Sequence, residues 1–371
     1  MDAVTPTLAP TAVDARAERL RSAAAERGLD AVVATSDASI AYLTGFHGLQ
    51  LERLFAVAVR TTGGGALVVP LLESEAADAA PTTLERAVYT PDSDGLRELA
   101  GALGDARTVG VEEHHLDLGR ARALEERGFR LEAAFEVVMA LRARKDAEEV
   151  ERMREACRVV AEILETLLSE LRPGDVEREV NARVEYRLKE RGATECHPLV
   201  LFGANSSNPH GKPGERVLQL GDVVCADISA AIGGYWGDLT RCATVGPPDE
   251  WARAAHGVVV EAQQVAIAAA RAGTPARDLD AAQRRVVEAS PELGRCLHGA
   301  GHAIGVEVHE PPFLVSRTEA TLEDGMVLTI EPGLYLSGTG GIRLEDDVLV
   351  AESAPELLCR LPLDLREIPT A

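Results

Sequence analysis

Apolar positions in this chain change their spacing several times, and each change marks a predicted element. Residues 14–28 are rich in Arg, Glu and Ala with Leu20 on an apolar stripe, and Gly28 supplies a helix stop. Residues 30–35 (Asp-Ala-Val-Val-Ala-Thr) then predict a strand. A short apolar stretch over 40–46 closes on Thr44, Gly45 and Phe46, and strand-like runs recur at 54–60, 66–70 and 108–111 with helical stretches between. That alternation predicts an α/β unit with a partly parallel sheet.

Around 139–150 the pattern turns to charge, with Arg142, Arg144, Lys145, Asp146, Glu148 and Glu149. A domain boundary is expected there, giving an N-terminal domain over 16–145 and a second domain over 146–371. Ahead of both, residues 1–15 carry Thr5, Pro6, Thr7, Pro10 and Thr11 and are expected to be a disordered tail. They lack the basic start and apolar core of a secretory signal. No run approaches the roughly 20 apolar residues of a membrane span. A helix follows the boundary to about Leu171 and stops at Pro173-Gly174.

The second domain carries a weak internal repeat. Arg172-Pro-Gly-Asp175 resembles Arg271-Ala-Gly-Thr274, each ahead of a helix. The strand ending at Asp227 resembles the one ending at Glu331, and past the following turns Asp238 corresponds to Glu345. Two copies of a helix–helix–hairpin unit are expected to bring two pairs of carboxylates together about a pseudo-two-fold axis.

Length and charge narrow the function. A chain of 371 residues exceeds one comfortable core, which supports two domains. A formal charge of −22 argues against nucleic acid or an anionic membrane as partner. The six cysteines form no C-x-x-C pair, so free thiols in a reducing, cytoplasmic setting are expected.

The chemistry concentrates in five residues: Asp227, Asp238, His302, Glu331 and Glu345. Each sits in an apolar stretch punctuated by Gly or Pro, where a carboxylate is costly unless paired or metal-bound. Four carboxylates and one imidazole, with no thiolate, suit two divalent cations such as Mn²⁺, Co²⁺ or Zn²⁺. Two such ions about 3.5–4 Å apart hold a hydroxide and activate it for attack on a carbonyl. Extended chain would separate Asp227 and Asp238 by about 36 Å, but Gly233-Gly234 between them predicts a hairpin that returns one towards the other. By the period of two, Trp236, Asp238 and Thr240 share a face, so Thr240 can hydrogen-bond a ligand. Arg343 precedes Glu345 by two on the same face, either to salt-bridge a ligand or to bind a substrate carboxylate. Three of the nine histidines, His298, His302 and His309, fall within a Gly-rich segment. His302 is the expected metal ligand; His298 and His309 are neutral donors or proton shuttles. Glu310 is placed to orient this segment. His210 lies in a loop that matches His309 in the repeat.

The segments 197–213, 227–240, 298–311, 329–335 and 341–347, with Tyr42-Leu-Thr-Gly-Phe46 upstream, resemble those of the pita-bread (M24-type) metallopeptidases. The resemblance is to the branch of Xaa-Pro dipeptidases (prolidases) and Xaa-Pro aminopeptidases (aminopeptidase P). It implies an α/β creatinase-like N-terminal domain, often engaged in dimer contacts, followed by an α+β pita-bread catalytic domain. It further implies that Asp238 and Glu345 bridge two metal ions, Mn first with Co or Zn as alternatives. Asp227 would chelate one ion, and His302 with Glu331 the other. His210, His298, His309 and Arg343 match the family's substrate-binding and proton-transfer positions, and Glu331 is placed to relay a proton to the leaving nitrogen. The implied substrate is a peptide with proline at its second position, and the implied assembly a homodimer. The alternative is a creatinase-like amidohydrolase acting on a non-peptide C–N bond with the same fold.

Overall fold

The computed structural model describes residues 9–370, and these form two compact units that part between Arg142 and Ala143. Residues 10–15, expected in the disordered tail, are instead the first turns of α1 (Pro10–Glu26). Pro10 stands at the helix start, where its missing N–H costs nothing. Val13, Arg16, Ala17, Leu20 and Ala24 form one buried stripe, so burial of Val13 extends the helix past the expected start. Residues 1–8 of the expected tail lie outside the described residues.

The first unit continues through β1 (Ala31–Ala34), α2 (Asp37–Thr44), β2 (Ala56–Arg60), β3 (Gly65–Pro70) and α3 (Ser74–Ala79). It then adds β4 (Glu85–Tyr89), α4 (Leu96–Leu103), β5 (Thr108–Val111), α5 (Leu118–Glu126), β6 (Arg130–Ala133) and α6 (Phe135–Ala143). Its sheet has the order β4-β3-β2-β1-β5-β6. Strands β1 and β5, β5 and β6, and β3 and β4 run parallel, while β2 is antiparallel to both neighbours. The sheet is thus partly parallel, as the pattern predicts. The apolar stretch over 40–46 is mostly helix: Ser36 caps α2 through its hydroxyl. Strands β4 and β6 escaped the sequence pattern because they are the sheet edges and carry charged, partly solvated residues.

The second unit opens on α7 (Ala147–Glu170), whose start is a capping box between Asp146 and Glu149. It proceeds through α8 (Glu177–Glu190), β7 (Ala193–Phe202), β8 (Val223–Ile232) and β9 (Tyr235–Val245). Leu164 and Leu167 of α7 and Val184 and Leu188 of α8 share one buried cluster with Val200, Ile228 and Leu239 of these strands. The β8–β9 turn is Gly233-Gly234, with φ of 64° and 80°; two consecutive positive φ values are what a two-residue hairpin of matching twist requires.

A second helix pair follows, α9 (Glu250–Ala269) and α10 (Ala276–Val287). After it come β10 (His302–Ala303), β11 (Glu310–Phe313), β12 (Val327–Ile330), β13 (Gly333–Leu336), β14 (Gly340–Arg343) and β15 (Asp346–Leu349). Strand β12 pairs with β15 and β13 with β14, and the partners Ile330↔Asp346 and Gly333↔Arg343 keep one register. These four strands are therefore one hairpin broken at Glu331-Pro332, where proline has no N–H for the ladder. That broken hairpin is the counterpart of β8–β9, so the unit is two helix–helix–hairpin halves. Strands β16 (Glu356–Leu357) and β17 (Arg366–Ile368) flank β15 and β9. No helix is long and apolar enough to cross a membrane among the described residues.

Candidate metal centre

The two hairpins meet at Thr240 and Glu345, which form an isolated bridge. On β8–β9, Asp227 lies opposite Thr240 and Ser229 opposite Asp238. Opposed residues share a sheet face, so both aspartates point to one side. On the other hairpin the common register sets Glu331 and Glu345 against each other at the break. His302 enters from β10, which pairs with β12.

Three of the five expected ligands form a tight group. Ligand atoms of Asp238, His302 and Glu345 all lie within 4.8 Å of one another, and all three residues are buried. Glu331 borders them, with Oε1 3.5 Å from His302 Nε2. Asp227 borders Asp238 from β8, but its Oδ2 accepts a hydrogen bond from Arg343 Nη2. Arg343 is itself buried, and it also donates to the Tyr335 hydroxyl at 2.8 Å and to Thr240 Oγ1 at 3.3 Å. Of its two expected uses, the structure displays the salt bridge. Thr240 passes the chain on, its hydroxyl donating to Glu345 Oε2 at 2.6 Å.

The histidines divide by exposure. His302 Nδ1 faces the Ala303 carbonyl at 3.0 Å, so the proton sits on Nδ1 and the Nε2 lone pair is left for a ligand bond. His298 has both nitrogens engaged, Nδ1 with the Gly299 carbonyl at 2.9 Å and Nε2 with the Tyr335 hydroxyl at 2.8 Å. His309 stacks edge-on to His302, ring centroids 4.2 Å apart, and is exposed. His210 is exposed on its loop. Burial lowers His298 and His302 to about 4, and enclosure on one side lowers His309 too. All three shifts favour the neutral imidazole.

The carboxylates are shifted the other way. Burial pushes Asp238 and Glu345 well above the ordinary carboxylate range. Neighbouring charges add to this: Asp227, Asp347 and Glu331 for Asp238, and Asp238, Glu331 and Asp227 for Glu345. Glu331 is pushed up to about 7, again chiefly by burial. Asp238 Oδ1 is buried without a hydrogen-bond partner. An orphaned carboxylate oxygen, crowded by like charges and beside an imidazole lone pair, fits a divalent cation. The donor set of oxygens with one nitrogen is that of a hard or borderline ion.

Sequence reasoning missed Tyr335, whose hydroxyl joins His298 to Arg343. Its only signal was a tyrosine in an apolar strand directly after Glu331-Pro-Gly. Also unforeseen is Lys145, read only as boundary charge. Its Nζ lies 3.2 Å from Glu310 Oε2 in a fully buried pair. Glu310 Oε1 accepts the Val306 and Glu307 amides at 3.0 and 3.2 Å, which pins the loop that carries His309.

Comparison with known proteins agrees with this architecture. The model of metallopeptidase family M24 matches residues 151–352, and that of the creatinase/prolidase N-terminal domain matches 16–144. An uncharacterised peptidase of Staphylococcus saprophyticus is 33% identical over 334 residues, 89% of this chain and 94% of its own. Among solved structures, the dipeptidase PepE from Mycobacterium ulcerans has a TM-score of 0.90 at 28% identity, covering 98% of this chain and 100% of that one. The Xaa-Pro dipeptidase from Bacillus anthracis has a TM-score of 0.87 at 30% identity, covering 96% and 100%.

Proposed function

Because the chain belongs to metallopeptidase family M24, with a creatinase/prolidase N-terminal domain ahead of the catalytic one, we propose that it hydrolyses Xaa-Pro bonds and releases the N-terminal residue. The observation that carries this reading is the buried Asp238–His302–Glu345 group, set in a chain similar over nearly its whole length to an Xaa-Pro dipeptidase. Asp227, Asp238, His302, Glu331 and Glu345 are the residues that would hold two divalent ions, with Mn²⁺ favoured by the oxygen-rich set. Such ions supply Lewis acidity, making water a nucleophile at neutral pH and polarising a carbonyl.

The chain's own residues do the rest. His302 keeps its proton on Nδ1 and offers Nε2 inward. His309, neutral and open to solvent, donates a hydrogen bond to the substrate carbonyl as charge develops on its oxygen. Glu331, beside His302 Nε2, takes a proton on a carboxylate oxygen and returns it to the leaving nitrogen. His298 holds the Tyr335 hydroxyl, and so acts on the site through Tyr335 and Arg343. Proline at the second position has no N–H, so an apolar pocket accepts it without stranding a donor. A homodimer in the cytoplasm completes the reading. Free cysteines throughout support a reducing compartment.

The test is a substrate panel with added Mn²⁺: Xaa-Pro dipeptides, Xaa-Pro-Xaa tripeptides and Xaa-Ala controls. Cleavage of the proline peptides should exceed that of the controls by at least about tenfold, since one well-placed group difference is worth about 1.4 kcal/mol or more. Failure on every peptide, with turnover of a non-peptide amide, would favour the amidohydrolase.

Metal dependence also has a sign. Carboxylates whose folded pKa is raised stabilise the fold fully below about pH 4. That stabilisation disappears as pH rises through the folded value, about 7 for Glu331. The metal-free protein should therefore lose stability between about pH 5 and 8, and Mn²⁺ should restore it. Thermal melts with chelator and with Mn²⁺ should diverge as pH rises over this range; a constant gap would contradict it.

A further inference from the structure

Behind Asp238, on the side away from His302, α7 presses against β9. The contact is at Gly237, where a Cβ would come 2.6 Å from the Cys157 amide nitrogen and 2.9 Å from the Ala156 carbonyl carbon. Only a residue without a side chain lets the helix backbone approach so closely. This approach brings the Cys157 thiol within 2.9 Å of Asp347 Oδ2. The same oxygen accepts the backbone N–H of Asp238 at 3.0 Å. Both Cys157 and Asp347 are buried, at 0% and 1% exposure. Asp347 Oδ1 has no partner, so the thiol and the Asp238 amide are the hydrogen bonds that hold this carboxylate among the described residues.

We propose that Cys157 and Asp347 are positioning residues that fix the Asp238 carboxylate for metal binding, Cys157 by orienting Asp347 and Asp347 by holding the Asp238 amide. The inference rests on the reading of Asp238 as a metal ligand. Pairing of β9 with β8 sets the face that Asp238 takes, while its amide is held by Asp347 from outside that pair of strands. The Asp347 carboxylate thus ties the Asp238 amide to the α7 thiol. Partners behind a ligand set its orientation, and their loss commonly weakens metal affinity by about 10–100-fold. Cysteine suits the place because the close helix–strand contact leaves room for a small donor that packs as an apolar group.

The experiment titrates full-length, chelator-stripped protein with Mn²⁺ by calorimetry and records the visible absorption of the Co²⁺ form. Cys157→Ala should bind Mn²⁺ at least about tenfold more weakly and show an altered Co²⁺ spectrum while remaining folded by circular dichroism. Cys157→Ser, which keeps a donor, should recover most of the affinity and the spectrum; a merely structural role would not be rescued in this way. Asp347→Ala, measured identically, should lose at least as much, and serves if Cys157→Ala does not fold. A folded Cys157→Ala or Asp347→Ala with wild-type Mn²⁺ affinity and Co²⁺ spectrum overturns the proposal. Wild-type protein that binds neither ion would instead overturn the metal reading on which it stands.

Discussion

Replacing Asp238 with alanine should abolish peptide hydrolysis, by about a thousandfold or more, and at the same time make the metal-free protein no less stable. The two effects share one cause. Asp238 is buried among Asp227, Asp347 and Glu331, and all three raise its pKa. Holding it ionised there costs free energy that only a cation offsets. Alanine removes that cost in the metal-free state and removes a ligand in the metal-bound one. Three measurements check this: kcat/KM with saturating Mn²⁺, metal content per chain, and melts in chelator at pH 7.5. Substantial turnover in Asp238→Ala would refute the assignment, and a large drop in metal-free stability would show that Asp238 serves the core instead.

Arg343→Leu should act in the opposite sense on stability. Arg343 is buried and its guanidinium touches Asp227, Tyr335 and Thr240. Removing one partner of a buried ion pair leaves the other charge uncompensated, at a cost of about 3–5 kcal/mol. Here the stranded charge joins an already crowded set of acids, so the metal-free protein should fall at the upper end of that range. Urea unfolding in chelator reads the effect directly. The double variant Arg343→Leu with Asp227→Leu should recover most of the loss, because it removes both charges rather than one. If Arg343→Leu alone unfolds with wild-type midpoint and slope, the pair contributes nothing and Asp227 is held by other means.

Much of the second unit was legible in the chain because its signals are local. The Gly233-Gly234 turn, the stop at Pro173-Gly174 and the acidic residue closing each repeated strand report only on their own neighbours, and backbone preference acts over that distance. The tail over 10–15 was misread because Thr and Pro composition outweighed Val13, whose value lies in a stripe that becomes apolar only when folded. The break at Glu331-Pro332 shows a finer limit. A strand was expected to end at Glu331, and β12 does end at Ile330, but the pairing register carries on past the proline into β13 and β14.

Residue types and strand periodicity determined which side chains are candidate ligands and which face each of them takes, since a period of two leaves no choice once a strand is set. Tertiary structure decided which of them meet. Arg343 meets Asp227, 116 positions away, and Cys157 reaches Asp347 across 190. His298 spends both nitrogens inside the protein while His309 stays open. Those outcomes depend on how one packed layer seats against another, and a chain's local pattern carries no record of that seating until burial and charge have been balanced together.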